Sequence, residues 1–471
     1  MKNVKILPMF LPLFIAFFLE SNPVASYLTA WLGSFFLLYV SLTGFIAPLP
    51  DDLPISGQLM RPLFVVQVIF CGFNFCSSIF YFLDTLGMQD FAWRSNYFVD
   101  KAKVIKIAEA QRYYLLGHIS LLLGLLSRPL QNVKFAYKIK EDLDWSVFLT
   151  GFTFFTFMGS VVTRFIPGMG QIREQCSNIS FLCGTYAFCY AIVKKDRNLI
   201  LMAGAFYGYN FINTLVSGFK EPIIVSLLLV GIFMYPFYKK VVTYAALPFV
   251  YVAFFIIPAY VSAFRGLANE DNSGNATEIR DQALSTALEG KESNWDFLTG
   301  RLSEIGMFTT YIASTPKQIP YYGTQIVEQS LTVLVPRVFW RDKPITEVLV
   351  MQRVYDAGVV SNIAKVSAKP MYIVDGYLSG GLLGIMISLF VYGFAVQWIA
   401  GIAEKWFGGY FFGTAIIFNG LFSIFWRGLS FEFILNSVLY SFFSMYVIRW
   451  LLYTYGYLEK IHEDPAHNTV V

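Results

Sequence analysis

The feature that most constrains this chain is a succession of long apolar runs separated by short polar breaks. Runs such as "LGSFFLLYVSL", "FVVQVIFCGFNF" and "LLGIMISLFVYGFAVQW" recur along nearly the whole sequence. A bilayer core about 30 Å thick needs about 20 mostly apolar residues as helix. Inside hydrocarbon every backbone N–H and C=O must be satisfied within its own segment, which selects helices. Twelve spans are expected, over 4–19, 24–46, 62–83, 113–127, 145–164, 178–193, 199–217, 222–238, 241–264, 380–402, 408–426 and 433–455. Composition agrees: 56% of the residues are hydrophobic and only 14% charged, where a soluble domain carries about 25% charged residues. The fold class read from this is all-α, a polytopic membrane helix bundle of about 12 transmembrane helices with one large, partly helical loop.

Lysine and arginine near span ends set the orientation. Arg128, Lys134, Lys138 and Lys140 share one side with Lys194, Lys195 and Arg197 and with Lys239 and Lys240. That side is read as the cytoplasm, and both termini fall on it. The stretch 91–112 carries five cations on the other side and is expected to be an amphipathic helix lying at the surface. The organisation is therefore spans 1–9 over 1–264, a large loop domain outside the cytoplasm over 265–379, spans 10–12 over 380–455, and a cytoplasmic tail over 456–471. Within the loop, "WDFLTGRLSEIGMFTTYIAS" reads as one amphipathic helix with Phe297, Leu298, Leu302, Ile305, Phe308 and Ile312 near one face. Arg301 and Glu304 would be neighbours on its other side.

Several kinds of chemistry find no footing. Four of the five cysteines lie in apolar runs, His118 stands alone in another, and no zinc-spaced cluster or Gly-rich phosphate loop occurs. No metal and no cofactor is expected. The charged groups gather instead at the outer span ends and in the loop. They are Arg164, Lys220 with Glu221, Arg265, Arg301, Arg337, Arg341, Lys343, and Arg427 with Glu432. Ionisable groups beside hydrocarbon are functional candidates by default, against the plain alternative of snorkelling to the interface. Guanidinium grips phosphate oxygens through two parallel hydrogen bonds and lysine adds a point charge, so a cavity lined this way suits a lipid pyrophosphate. Trp340, Tyr321 and Tyr322 offer flat faces for stacking sugars, or belong to an ordinary interfacial belt.

Three stretches carry a resemblance. "SGFKEPIIVSLLL", "VPRVFWRDKP" and "VDGYLSGGLLGIMISLFVYG" resemble segments of the bacterial oligosaccharide repeat-unit polymerases, the O-antigen polymerase (Wzy-type) superfamily. The resemblance covers roughly residues 210 to 400, and it departs from the family in having Lys220 where arginine is commoner. It implies a fold similar to the GT-C-like fold of O-antigen polymerases and ligases, and a multi-pass protein of the bacterial inner membrane. The implied activity is a metal-independent glycosyltransferase on the periplasmic face. It would polymerise undecaprenyl-pyrophosphate-linked oligosaccharide repeat units into O-antigen, capsule or exopolysaccharide. The expected partners are that lipid-linked glycan, membrane lipid and a chain-length regulator protein, with no nucleic acid. Lys220, Arg301, Arg337, Arg341, Lys343, Arg427, Arg164 and Arg265 would bind the pyrophosphate. A carboxylate must take the acceptor proton. Glu304 is the first choice for it, followed by Glu221 and Glu432. An O-antigen ligase, or a transporter or flippase for polysaccharide units, is the competing reading.

Overall fold

The structure is a computed structural model of the full chain. It describes residues 5–127, 135–140, 143–216, 220–252, 281–286, 295–335, 339–340, 342–361, 368–409 and 429–461, with isolated positions at 256, 259–260, 263–264 and 413. The side chains at 146, 214–224 and 301 lie outside that description.

The chain is mostly helical, as its apolar runs require. Among the described residues, five helices are long and apolar enough to cross a membrane. They are Pro23–Leu42, Pro62–Thr85, Gly170–Lys194, Tyr372–Trp406 and Phe431–Thr454. Shorter apolar helices cover Leu7–Phe18, Val147–Thr163 and Val225–Met234. The expected span over 408–426 falls almost wholly outside the described residues.

In chain order, α1 (Leu7–Phe18) and α2 (Pro23–Leu42) form a hairpin. The Asn22 side chain caps α2 by accepting from the Ala25 N–H at 3.2 Å, and Pro23 opens it at the one position where a missing N–H costs nothing. Next come α3 (Pro62–Cys71), a π turn over Gly72–Cys76, and α4 (Ser78–Thr85). A two-stranded hairpin, β1 (Met88–Gln89) with β2 (Ala92–Trp93), leads to α5 (Lys101–Leu126).

Helix α5 corrects one expectation. Residues 91–112 do not form a surface helix ahead of a short span; Asp100 caps a single helix that runs through to Leu126. It is largely buried from Ile107 onward and packs against α2, α3 and the helix at 372–406. Its polar residues tolerate burial because partners from distant segments meet them. Arg112 donates to the Ser26 hydroxyl at 2.8 Å and to Glu20 at 2.9 Å. Apolar side chains gain little by leaving lipid for protein, so backbone approach at small residues contributes much of the packing. A Cβ on Gly124 would run into the Phe390 carbonyl, and one on Gly393 into the Leu121 carbonyl.

A second group of helices packs around α7: α6 (Trp145–Thr163), α7 (Gly170–Lys194), α8 (Arg197–Val216) and α9 (Lys220–Met234), with α10 (Lys239–Tyr251) against α9. The segment between the spans is helical in pieces. Trp295–Phe297 leads into a π turn over Leu298–Leu302, then come α11 (Ile305–Ser314), α12 (Gln325–Thr332) and α13 (Thr346–Asp356). The single amphipathic helix expected over 295–314 is therefore broken. Ser303 is extended and Glu304 opens α11, so Arg301 and Glu304 are not stacked one helical turn apart. Both pieces still bury apolar residues, Phe297 and Leu298 before the break and Ile305, Phe308 and Ile312 after it.

The last long elements are α14 (Tyr372–Trp406) and α15 (Phe431–Thr454), followed by β4 (Leu458–Lys460). Strand β4 pairs antiparallel with β3 (Tyr137–Ile139), Tyr137 opposite Lys460. Tyr440 on α15 donates to Gln171 on α7, and Gln171 donates to Asn436 at 3.2 Å, joining the two helix groups.

Candidate functional site

Helix α14 is bent back on itself. Gly380 and Gly381 leave helical geometry, Gly381 at φ 62° and ψ −137°, a region closed to residues with a Cβ. The arm 372–379 folds against the start of the arm 382–406: the Tyr372 hydroxyl donates to the Ser388 carbonyl at 3.2 Å. A Cβ on Gly384 would overlap the Gly376 carbonyl. The glycines of "VDGYLSGGLLG" are thus the residues that let a short helical arm return alongside the long one.

That return carries Asp375 into the interior. Asp375 is fully buried, and its Oδ2 accepts the Phe431 N–H at 2.9 Å, serving as a cap for α15 from another element. Glu432, in the first turn of α15, is also fully buried. Arg353 on α13 reaches both. Its Nη1 donates to Glu432 Oε1 at 2.7 Å and its Nη2 to Glu432 Oε2 at 3.0 Å, the two-pronged geometry special to guanidinium. Its Nη2 also lies 3.3 Å from Asp375 Oδ1. Gln329 on α12 accepts from Nη1 at 3.2 Å. Burial alone would lower the Arg353 guanidinium, but the Asp375 and Glu432 carboxylates outweigh it and hold it above its ordinary range. One arginine from the inter-span segment therefore fastens two spans.

Tyrosines surround this cluster. Tyr311 on α11 is fully buried, and its hydroxyl has no hydrogen-bond partner among the described residues. Burial, with the charges of Asp375 and Glu304 nearby, pushes that phenol far above its usual range. Tyr322 donates to Asp356 at 3.3 Å; burial and that carboxylate push it up to about 12. Tyr321 stands over the Gly381 turn, its ring centroid 6.0 Å from that of Tyr377. Tyr377 stacks on Tyr113 of α5 at 5.7 Å.

The residues singled out from the sequence fall in different places. Glu432 joins the buried cluster. Glu304 begins α11, half-buried and within electrostatic range of Tyr311. Tyr321 and Tyr322 sit beside the cluster. Trp340, 37% exposed, makes no described ring contact with them. Lys343 is buried, but its ammonium donates to the Val333 and Val335 carbonyls, both at 2.8 Å, and so ties its own loop. Arg164 is exposed in the turn after α6. Arg265, Arg337, Arg341 and Arg427 lie outside the described residues, as do the side chains of Lys220, Glu221 and Arg301. Among the described residues no group of histidine, cysteine, aspartate and glutamate is arranged to hold a metal ion. Arg353 and Asp375 were not picked out beforehand. Asp375 had a signal, since it is a lone carboxylate in the apolar approach to a span.

Two further polar clusters lie within the bundle. Arg61, at the start of α3, donates to Asp52 at 2.5 and 2.8 Å and to Glu404, near the far end of α14, at 2.9 Å. Between the ends, the Ser34 hydroxyl lies 2.6 Å from His118 Nδ1, and His118 Nε2 lies 3.3 Å from Gln67 Oε1. Because Gln67 Oε1 only accepts, this arrangement puts the imidazole proton on Nε2 and leaves Nδ1 to accept from Ser34.

Comparison with known proteins gives a family and no activity. No curated protein and no solved structure matches the chain. A family model described as "Domain of unknown function (DUF8712)" matches residues 11–460, nearly the whole sequence, and the protein belongs to that family.

Proposed function

We propose that the chain is a glycosyltransferase of the bacterial inner membrane, with about 12 spans, both termini in the cytoplasm and the 265–379 segment in the periplasm. It would polymerise undecaprenyl-pyrophosphate-linked repeat units into O-antigen, capsule or exopolysaccharide. One observation supports this most. The segment between the spans lays an arginine onto carboxylates of two spans, beside a glycine-broken helix and a rim of tyrosines. A buried ionic cluster at a span end marks a substrate region more often than it adds stability.

In the proposed reaction an acceptor sugar hydroxyl attacks the anomeric carbon of the lipid-linked glycan. The bond from that carbon to the pyrophosphate oxygen breaks, and lipid pyrophosphate leaves with the electron pair. A carboxylate receives the hydroxyl proton. Glu304 is the first choice because it borders the cluster at a break between helices. Both oxygens of Glu432 are engaged by Arg353, which suits it to holding the segment in place, and Glu221 stands as a further candidate. The cations Lys220, Arg301, Arg337, Arg341, Arg427, Arg164 and Arg265 are proposed to stabilise charge growing on the leaving oxygen, with Tyr321, Tyr322 and Trp340 against the sugars, while Lys343, whose ammonium is given to two carbonyls, holds its own loop. No metal is required in this scheme.

The test is turnover by the purified full chain with a synthetic polyprenyl-pyrophosphate-linked repeat unit. The expected products are a ladder of lengthened glycan and free polyprenyl pyrophosphate, undiminished by EDTA and lowered by Glu304→Gln. Transfer to lipid A core in place of self-extension would make the protein a ligase. No pyrophosphate release from folded protein would end the glycosyltransferase reading. The second reading, a transporter, draws on the buried His118–Ser34–Gln67 group between the two ionic ends of the bundle; counterflow of intact repeat units into proteoliposomes would favour it.

A further inference from the structure

Arg449 lies on α15 about 27 Å along the helix from Phe431, at the end of the bundle opposite Asp375. Its guanidinium is held over three rings from three elements: Trp406, which ends α14, at 4.3 Å, Tyr446 of α15 at 5.0 Å, and Tyr137 of β3 at 5.9 Å. Trp406 and Tyr446 brace one another edge to face with centroids 4.7 Å apart. Among the described residues no carboxylate or other acceptor meets this guanidinium, although it is half-buried. Among the described residues the buried arginines, Arg61, Arg112 and Arg353, each pair with carboxylates.

Two more cations share the place. Lys460 is exposed directly across the sheet from Tyr137, and exposed Lys405 precedes Trp406, its carbonyl accepting the Ala136 N–H at 2.9 Å. The carboxylate nearest in the sheet, Glu459, is on the alternate face and pairs with Lys138 at 3.7 Å. Five donors in a fixed fork, held by ring stacking, with exposed Lys405 next to Trp406 in the chain and exposed Lys460 across the sheet from Tyr137, suit a phosphate. The surface beside it is apolar: Phe443, Tyr446 and Val447 of α15 are exposed toward the middle of the helix, with Trp450 and Tyr453 toward its end. That pattern is an interfacial aromatic belt, with hydrocarbon on one side and headgroups on the other.

We propose that Arg449, with Lys405 and Lys460, binds the phosphate of an anionic phospholipid headgroup, its acyl chains lying along Phe443 and Val447. The site is separate from the Arg353 cluster and does not depend on the glycosyltransferase reading.

The experiment uses the full chain purified in neutral detergent and given phosphatidylglycerol or phosphatidylcholine, with bound lipid counted by native mass spectrometry. The wild-type protein is expected to retain phosphatidylglycerol over phosphatidylcholine. Arg449→Gln should weaken that retention about tenfold, the loss of one charge-assisted contact, and Arg449→Lys by less. Thermal unfolding in lipid-free detergent checks that the variants fold. Should Arg449→Gln fail to fold, the exposed pair Lys405→Gln and Lys460→Gln carries the test, with weaker retention expected. Equal retention by folded variants and wild type would overturn the proposal. Displacement of the lipid by inorganic phosphate at comparable concentration would overturn the assignment to lipid and make the site one for a soluble phosphate.

Discussion

Arg353 and Glu432 face one another through two parallel hydrogen bonds of 2.7 and 3.0 Å, both side chains withdrawn from solvent, although 79 positions separate them in the chain. Asp375 shares the same guanidinium, so the three groups act together. Arg353→Ala leaves two carboxylates in a low-dielectric interior without their cation and should destabilise the protein by about 3–5 kcal/mol, whereas Glu432→Ala leaves Arg353 paired with Asp375 and should cost less. The paired change of Arg353 to methionine and Glu432 to leucine still leaves the Asp375 carboxylate buried, and should cost far less only when Asp375→Asn is added. Denaturation in a fixed detergent, read as a double-mutant cycle, separates the two outcomes.

The bent helix gives a second expectation. Gly381→Ala places a Cβ at positive φ beside the Tyr321 hydroxyl and should cost about 1–3 kcal/mol. Gly384→Ala should cost more, because the backbone of the opposing arm cannot move aside as a tyrosine can. The neighbouring Gly380→Ala should be the mildest of the three, since no atom stands within 4 Å of its added carbon. Melting temperatures should fall from Gly380→Ala through Gly381→Ala to Gly384→Ala.

Asp52 supplies a pH dependence. The Arg61 hydrogen bond holds its carboxyl below the usual value. A depressed carboxylate contributes stability above its unfolded pKa, about 3.9, and loses it as pH falls through the lower folded value. The wild-type protein should therefore lose protection of the Asp52–Arg61 segment below about pH 4. Asp52→Asn should show weaker protection at neutral pH and a flatter acid limb. Hydrogen exchange of residues 50–61 against pH measures both. Because Asp52 is half exposed, the effect is expected to be local.

Gln111 makes an opposite case. It is fully buried on α5, and neither amide atom has a hydrogen-bond partner among the described residues. An unsatisfied buried amide costs about 1–3 kcal/mol, so Gln111→Met should be neutral or stabilising by up to that amount. Ser34→Ala, which removes the partner of His118 Nδ1 at 2.6 Å, should be destabilising by a similar figure. Thermal denaturation of the two variants should move in opposite directions.

The sequence alone determined that the chain is helical and where its long apolar helices run. The expected spans 24–46, 62–83 and 433–455 coincide closely with Pro23–Leu42, Pro62–Thr85 and Phe431–Thr454, and 178–193 lies within the longer Gly170–Lys194. The reason is local: a run of that length and apolarity must satisfy its own backbone hydrogen bonds. Tertiary structure decided the rest. Lys101–Leu126 has polar residues that read as a surface face, and partners from distant segments make their burial tolerable: Glu20 of the α1–α2 turn and Ser26 of α2 for Arg112, Ser34 and Gln67 for His118. Of the cluster on Arg353, only Glu432 stood out in the sequence, because a charge is legible in one dimension and its partner is not. Pairing depends on which elements meet in space, and here that was set by Gly380 and Gly381 turning a helical arm back into the bundle.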